Sequence, residues 1–518
     1  MYKFKKKSFL LGAVLPVLLL VLVACGNNEE TPQTSDEPSA DRKLIVAIAS
    51  DPLSLDPQFV NETNGAISNT QMYETLVTHD IDMNIVPRLA TSWERLDDLT
   101  IQFNLREGVY FHNGAPFTAR DVYFTLQRAS ESPLTAPILG EIDPSGLEII
   151  DDHTILIRSY EPFAPMLANL AHTTAFIVSE AAVEEHGDAF RENPVGTGPF
   201  KFQEWSVGEH LTLVRNDNYW GEIPEIGGIV FRFIPEETNR IIALEAGEAD
   251  IAMWISPSDV AHVQNHSDLT LVNRTNFTVW YLGFNNSLEM FEDQRVRQAF
   301  NYAVDVELIV DTLLEGWASP SPGPMGSNIP GASDQVEPYP FDPDRARELL
   351  AEAGVEDHLE VTISFSNIQT HRVMVEAVAN QLDQVGVTVH LEPMENAVFA
   401  EFTNDGNHEI GFFTWTTVTG DADYALFPLL HSTQHGSAGN RAFYSNSEVD
   451  EILERARATF DEEVRAVYYA QAQQMIRDDA PWLFLTVGES LIATRAEVEG
   501  YEFRLNGQQT MRYVRFVD

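Results

Sequence analysis

From Thr100 to Leu105 the chain reads Thr100-Ile101-Gln102-Phe103-Asn104-Leu105, with apolar side chains at alternate positions. That period of two marks a strand with one buried face. Further on, Val296, Ala299, Phe300, Ala303 and Val304 recur at helical spacing. They predict a single amphipathic helix over Asp293–Leu314. The two periods alternate along most of the chain. Lys43–Ile48 reads as a strand, and Thr118 is placed to cap a helix running through Ala129. Asp344–Ala353 reads as a helix stopped by Gly354, since glycine takes the left-handed conformation without steric cost. His358–Phe365 is a strand, 371–385 a helix stopped by Gly386, and Val387–Leu391 the next strand. That order predicts a right-handed parallel crossover. Helix returns over 447–477, followed by the apolar strand Trp482–Val487. No repeat of about 20–50 residues runs through the chain, which excludes a solenoid or a propeller. Mixed α/β domains are the economical reading.

The first 42 residues do not fit this alternation. Lys3, Lys5, Lys6 and Lys7 precede an apolar run, Phe9–Val23, of 15 residues. A membrane span needs ~20. The run ends at Leu22-Val23-Ala24-Cys25, and Cys25 is the single cysteine of the protein. A basic start, a short apolar segment, small residues and then cysteine form the pattern of a bacterial lipoprotein signal. Residues 1–24 are therefore expected to be removed and Cys25 to carry the lipid. Residues 26–42 are polar and Pro-containing, too poor in apolar side chains to offset their ordering entropy, and read as a flexible tether. No second hydrophobic stretch is long enough to span. The expected location is the extracellular face of the cell membrane, with the folded part held there by its lipid.

The chain has 518 residues, too many for one core, so two or three domains are expected. With one cysteine, an internal disulfide is excluded. The formal net charge is −47, and after the signal only Lys43 and Lys201 remain among the lysines. Nucleic acid is excluded as a partner, because phosphate binding needs a basic footprint. An acidic surface of this kind keeps a protein solvated in a salty or alkaline exterior. A cationic ligand is the other reading of the acidity.

Several segments in fixed order resemble one family. They are Leu89-Ala90-Thr91-Ser92-Trp93, Phe103-Asn104-Leu105-Arg106-Glu107-Gly108-Val109, Phe111-His112-Asn113-Gly114 and Ala119-Arg120-Asp121-Val122. Asn193-Pro194-Val195-Gly196-Thr197-Gly198-Pro199-Phe200, Arg215 to Gly221, Asp293 to Ala299 and Asn446 to Asp450 continue the series. Together they are similar to the extracellular solute-binding proteins, family 5, of peptide-type ABC importers, whose members bind oligopeptides, dipeptides, nickel or glutathione. The resemblance runs from about Lys43 to the C-terminus. It implies a type II periplasmic-binding-protein fold: two α/β lobes around a hinged cleft, with an additional inserted domain. The implied division is 43–75, 191–283 and 488–518 for lobe I, 76–190 for the inserted domain and 284–487 for lobe II. It also implies a non-enzymatic monomer that takes up a short peptide and hands it to a membrane permease.

The resemblance places the cleft strand at Thr414–Tyr424, with Trp415 packing on the ligand and Thr417 beside it. Dipeptide-type members carry an Asp three residues after the Trp, where this chain has Val418. Asp421 therefore either reaches a peptide amine from a longer loop or caps the turn before Tyr424, and Asp423 is a further candidate. Asn64-Gly65 offers a turn with free backbone at the cleft, against the alternative of an ordinary polar loop. Tyr281 faces either ligand or core. Met325 lies in a Pro/Gly/Ser-rich loop, 319–331, expected to help close the cleft. Arg441 suits a ligand carboxylate through a bidentate pair, or else a structural salt bridge. No cofactor and no metal ligand set is expected. His431 and His435 stand four apart without a third ligand, so a nickel chelate is only the alternative within the family. The chain carries no Gly-x-Ser-x-Gly, His-Glu-x-x-His or phosphate-binding loop, which leaves a secreted hydrolase little to stand on. A surface chaperone or peptide-signal receptor would use the same cleft.

Overall fold

The computed structural model describes residues 41–59, 62–132, 134–355 and 359–517. The expected signal, Cys25 and the tether up to residue 40 lie outside the described residues. One large sheet carries most of the rest. Its strands run in the order Val387–Met394, Leu359–Ser366, Ile410–Thr416, Leu269–Phe284, Trp482–Arg495, Ile251–Ala252, Lys43–Ile48, Gly228–Phe233, His210–Arg215 and Phe200–Ser206. Ala318–Pro320 pairs separately onto Trp482–Arg495.

The two central strands are long, 16 residues in Leu269–Phe284 and 14 in Trp482–Arg495. They run antiparallel and cross from one half of the sheet to the other. Leu269–Thr275 pairs with Glu489–Arg495, and Val279–Gly283 with Trp482–Val487. The register slips between these stretches, at Thr275/Val279, and again within the second, at Trp280/Tyr281. Asn328, in the Pro/Gly/Ser-rich loop, donates its side-chain amide to the carbonyls of Thr275 and Asn276 at 3.1 and 3.2 Å. A neighbouring loop thus supplies backbone partners where the ladder is interrupted.

Each half buries its own core. On one side Leu44, Val46 and Ile48 pack with Phe200, Leu213 and Phe231. On the other, Val361, Ile363 and Phe365 pack with Phe284, Phe300 and Val375. Leu359–Ser366 and Val387–Met394 are parallel and joined by the helix Gln369–Asp383, the expected crossover. A separate antiparallel sheet, in the order Ala90–Arg95, Thr100–Leu105, Thr154–Arg158, Glu148–Asp151, forms the inserted domain around Phe103, Phe117 and Ile155. Its helix Ala119–Ser130 starts with a reciprocal cap between Thr118 and Asp121.

Two predicted helices are each broken in two. Asp293–Leu314 divides into Gln294–Ala303 and Val306–Leu313, with Val304 extended and Asp305 accepting from the Leu308 amide at 2.9 Å. The segment 447–477 divides into Ser447–Ala458 and Glu462–Asp479, the second capped by Asp461 on the Val464 amide at 3.0 Å. In both places an aspartate carboxylate competes with the helical hydrogen bond and starts a new helix. The strand expected at Trp482–Val487 continues to Arg495.

Candidate functional site: a cleft beside the crossing strands

A cavity of about 490 Å³ opens beside the register slip, with Asn276, Thr278 and Trp280 in its wall. The volume falls within the ~300–1,000 Å³ of typical small-molecule sites. Strand parity decides what faces it. Thr278 stands opposite Thr416, and Trp280 opposite Thr414. The Thr278 and Thr416 hydroxyls are hydrogen-bonded at 2.7 Å, and both line the cavity with Val418. The intervening positions point to the other face of the sheet. There Tyr281 stacks on Trp482 with ring centroids 3.8 Å apart. Trp415 lies on Tyr424 at 4.9 Å and donates its indole N–H to the Tyr424 carbonyl at 3.0 Å.

The opposite wall comes from lobe I. Glu62 caps the helix Thr63–Thr70, accepting from the amides of Asn64 at 2.7 Å and Gly65 at 2.6 Å. Burial raises its carboxyl above the ordinary glutamate range, with these backbone donors opposing. Trp254 enters the cavity from a backbone at φ +51°, in the left-handed region. A Trp pays for that conformation in strain, so something must hold it. Arg240 does: its buried guanidinium donates to the carbonyls of Met253 at 2.9 Å, Trp254 at 2.7 Å, Ile234 at 2.8 Å and Pro235 at 2.9 Å. Glu489 completes this wall. One of its oxygens accepts from the Asn273 side chain at 2.7 Å.

The C-terminal segment forms the floor, with Phe503 and Leu505 through Gln509 lining the cavity. Gln508 anchors it, donating to the Ala171 carbonyl at 3.1 Å. Next to that contact, His172 borders the cavity from the inserted domain. Its Nδ1 lies 3.0 Å from the Thr174 hydroxyl, and burial pushes its pKa down to about 3, so the ring is neutral.

A family model described as bacterial extracellular solute-binding proteins, family 5 Middle, matches residues 84–437. The chain belongs to family 5 of the bacterial extracellular solute-binding proteins. It is 33% identical over 474 residues to glutathione-binding protein GsiB of Pectobacterium atrosepticum, covering 89% of this chain and 92% of that protein. It is 31% identical to heme-binding protein A of Haemophilus influenzae, covering 94% and 95%. Among solved structures, the periplasmic binding protein DppA of Helicobacter pylori, in complex with the peptide STSA, superposes with a TM-score of 0.83 at 28% identity, covering 92% of this chain and 98% of that one. The expected α/β fold of two lobes and an inserted domain is therefore met. As a family 5 protein the chain is a solute-binding protein of transport and not an enzyme.

Within this family 5 cleft, the residues expected at the site separate into two groups. Asn64 lines the cavity and donates to the Ser50 hydroxyl at 2.8 Å. Gly65 sits in the first turn of the helix Thr63–Thr70, so the free turn expected at Asn64-Gly65 is a capped helix start. Trp415, Thr417 and Tyr281 face away from the cavity or are buried beside it; Thr416, Val418 and Trp280 take the facing positions. Asp421 does not offer its carboxylate to the cleft. It caps the helix Ala422–Leu430 through the Asp423 amide and pairs with Arg465 through two contacts, at 2.7 and 2.6 Å. Asp423 is buried against Arg457 at 3.1 Å, and burial pushes its pKa up to about 6 against the pull of that guanidinium. Met325 is buried in the core with Phe277, Phe413 and Val487. Arg441 donates to Asn404 at 2.8 Å and lies over the Phe413 ring, engaging no carboxylate among the described residues. The loop 59–69 was expected at the cleft, with Glu62 not singled out in it; Trp254, Glu489 and the 503–509 floor were not anticipated. An isolated Trp after a two-residue strand and ahead of a Pro-led helix was the one available signal for Trp254.

Proposed function

We propose that this family 5 protein is the extracellular binding lipoprotein of an ABC importer, capturing short peptides by lobe closure and delivering them to a membrane permease. The observation that carries the reading is the cavity between the halves of the sheet, placed where the two crossing strands lose register. A slip in the long pairing that crosses the cleft suits a hinge, since the strands there can bend without breaking a regular ladder. Closure onto a ligand then brings Thr278, Thr416 and Val418 against Trp254 and Glu489. The relatives' ligands, glutathione for one and the tetrapeptide STSA for another, support a short peptide of that size class. In this reading 43–75, 191–283 and 488–518 form lobe I, 284–487 forms lobe II, and 76–190 is the inserted domain. Cys25 carries the lipid, the tether leaves the monomer free to meet its permease, and transport needs no cofactor. Native mass spectrometry of the purified protein tests the reading: a co-purifying peptide of a few residues is expected, displaced by added peptide. A protein that binds no member of a mixed di- to pentapeptide pool would overturn it.

A further inference from the structure

Resting on the reading of this cavity as the ligand cleft, we propose that it selects peptides of net positive charge, seating an ammonium or guanidinium group against Glu489, and disfavours anionic ligands such as glutathione. Among the described residues lining the cavity the charged side chains are Glu62 and Glu489; no Lys or Arg is present. Glu62 spends both oxygens on backbone amides. Glu489 spends one, on Asn273, and its second oxygen accepts no hydrogen bond among the described residues. The neighbouring guanidiniums are turned elsewhere. Arg274 donates to the Phe503 carbonyl at 3.3 Å, and Arg504 reaches the Thr78 hydroxyl at 3.5 Å and Glu502 at 3.8 Å. His172 adds no positive charge.

A ligand carboxylate enclosed here would meet two carboxylates and no cation, and an unpaired enclosed charge is costly. Glutathione carries two carboxylates and one ammonium, so at least one would stay unpaired. A cation meets the reverse situation. Glu489 gives it a charged acceptor, and the faces of Trp254, Trp280 and Phe503 in the same cavity attract cations through the ring quadrupole. The Asp that dipeptide-type members carry after the Trp is absent, Val418 being in its place and at the cavity wall.

Titration calorimetry on the full chain at fixed ionic strength tests this with three probes: Ala-Arg-Ala-amide, its uncharged analogue acetyl-Ala-Gln-Ala-amide, and glutathione. The cationic peptide is expected to bind about 10-fold or more tighter than the uncharged one, as a charged hydrogen bond warrants, and glutathione weakest of the three. Glu489→Gln should remove that advantage, bringing the ratio of cationic to uncharged affinity to within about 2-fold of one. Thr416→Trp, which fills the cavity, separates the two readings. If it abolishes binding while the charge preference is missing or reversed, the charge inference fails and the cleft stands. If binding survives Thr416→Trp, the ligand sits elsewhere and the cleft reading fails. No binding of the cationic peptide, or glutathione binding as tightly, overturns the proposal.

Discussion

The two walls of the cleft both carry carboxylates, and they use them in opposite ways. On lobe II, Asp421 and Asp423 head a helix next to the cleft strand, and each has a partly buried arginine, Arg465 and Arg457. On lobe I, Glu62 and Glu489 face the cavity, and among the described residues no guanidinium pairs with either. What differs is the supply of cations. The helices Ser447–Ala458 and Glu462–Asp479 pack beside the lobe II acids and bring Arg457 and Arg465 with them. The lobe I acids sit at a helix cap and on a crossing strand, where only amides and a side-chain amide reach them. A carboxylate near a cleft recognises a ligand only if the fold leaves it unneutralised.

The sharpest way to break this contrast is Asp421→Ala. It leaves Arg465, 13% exposed, without its partner and removes a helix cap. The pair is part-buried, so losing one member costs less than the roughly 3–5 kcal/mol of a fully buried pair, and the cap adds about 1 kcal/mol. Chemical denaturation should show a loss of about 2 kcal/mol, while peptide affinity of the folded protein changes less than about 2-fold, well under the factor of ten that 1.4 kcal/mol brings. A stable variant with lost affinity would put Asp421 back in the cleft.

Much of the fold was legible because its signals are local. Gly354 stops its helix at φ +77°, Thr118 caps its own, and the crossover over 359–394 follows from two apolar runs around one amphipathic one. The cleft strand was legible too, but not its parity. Ile410–Thr416 is buried over its first four residues, so no alternation marks which face meets the ligand, and a shift of one residue exchanges Trp415 for Thr416. The two broken helices hid behind continuous apolar spacing that an internal aspartate cap interrupts. The lobe I wall was the least legible. Trp254, Glu489 and the 503–509 floor lie far apart in sequence and meet only through the crossing strands and the Gln508 anchor.

Two tryptophans sharpen the comparison at the next level. Trp254 faces the cavity and is held by the Arg240 clamp; Trp415 packs between lobe II and the inserted domain, against both of their cores. Trp254→Ala should weaken peptide binding by about 10-fold, the loss of an enclosed aromatic face, and cost less stability than Trp415→Ala, because Trp254 packs against one core and Trp415 against two. Trp415→Ala should do the reverse, costing about 2–3 kcal/mol of stability with a smaller effect on affinity. Calorimetry and denaturation on both variants read the two effects apart, and equal affinity losses would mean that both faces of the strand meet ligand.

The smallest expected effect concerns His172, the one titratable side chain among the described residues that the inserted domain contributes to the cleft. Burial depresses its pKa from 6.5 to about 3 in the folded protein. Below pH 6.5 the unfolded chain therefore takes up a proton that the folded chain refuses, so the stability this group contributes is intact above 6.5 and lost as the pH falls towards 3. Between pH 7.5 and 5.5 the loss amounts to about 1 kcal/mol. Denaturation at the two pH values should show His172→Gln losing about that much less than the unmodified protein. Cationic peptide binding by the unmodified protein should stay constant over the same interval, because a ring that remains neutral adds no repulsion beside Glu489. A cation affinity that collapses by pH 5.5, and is rescued by His172→Gln, would mean that the ring gains its proton within the cleft and that the wall opposite Glu489 is not electrically silent.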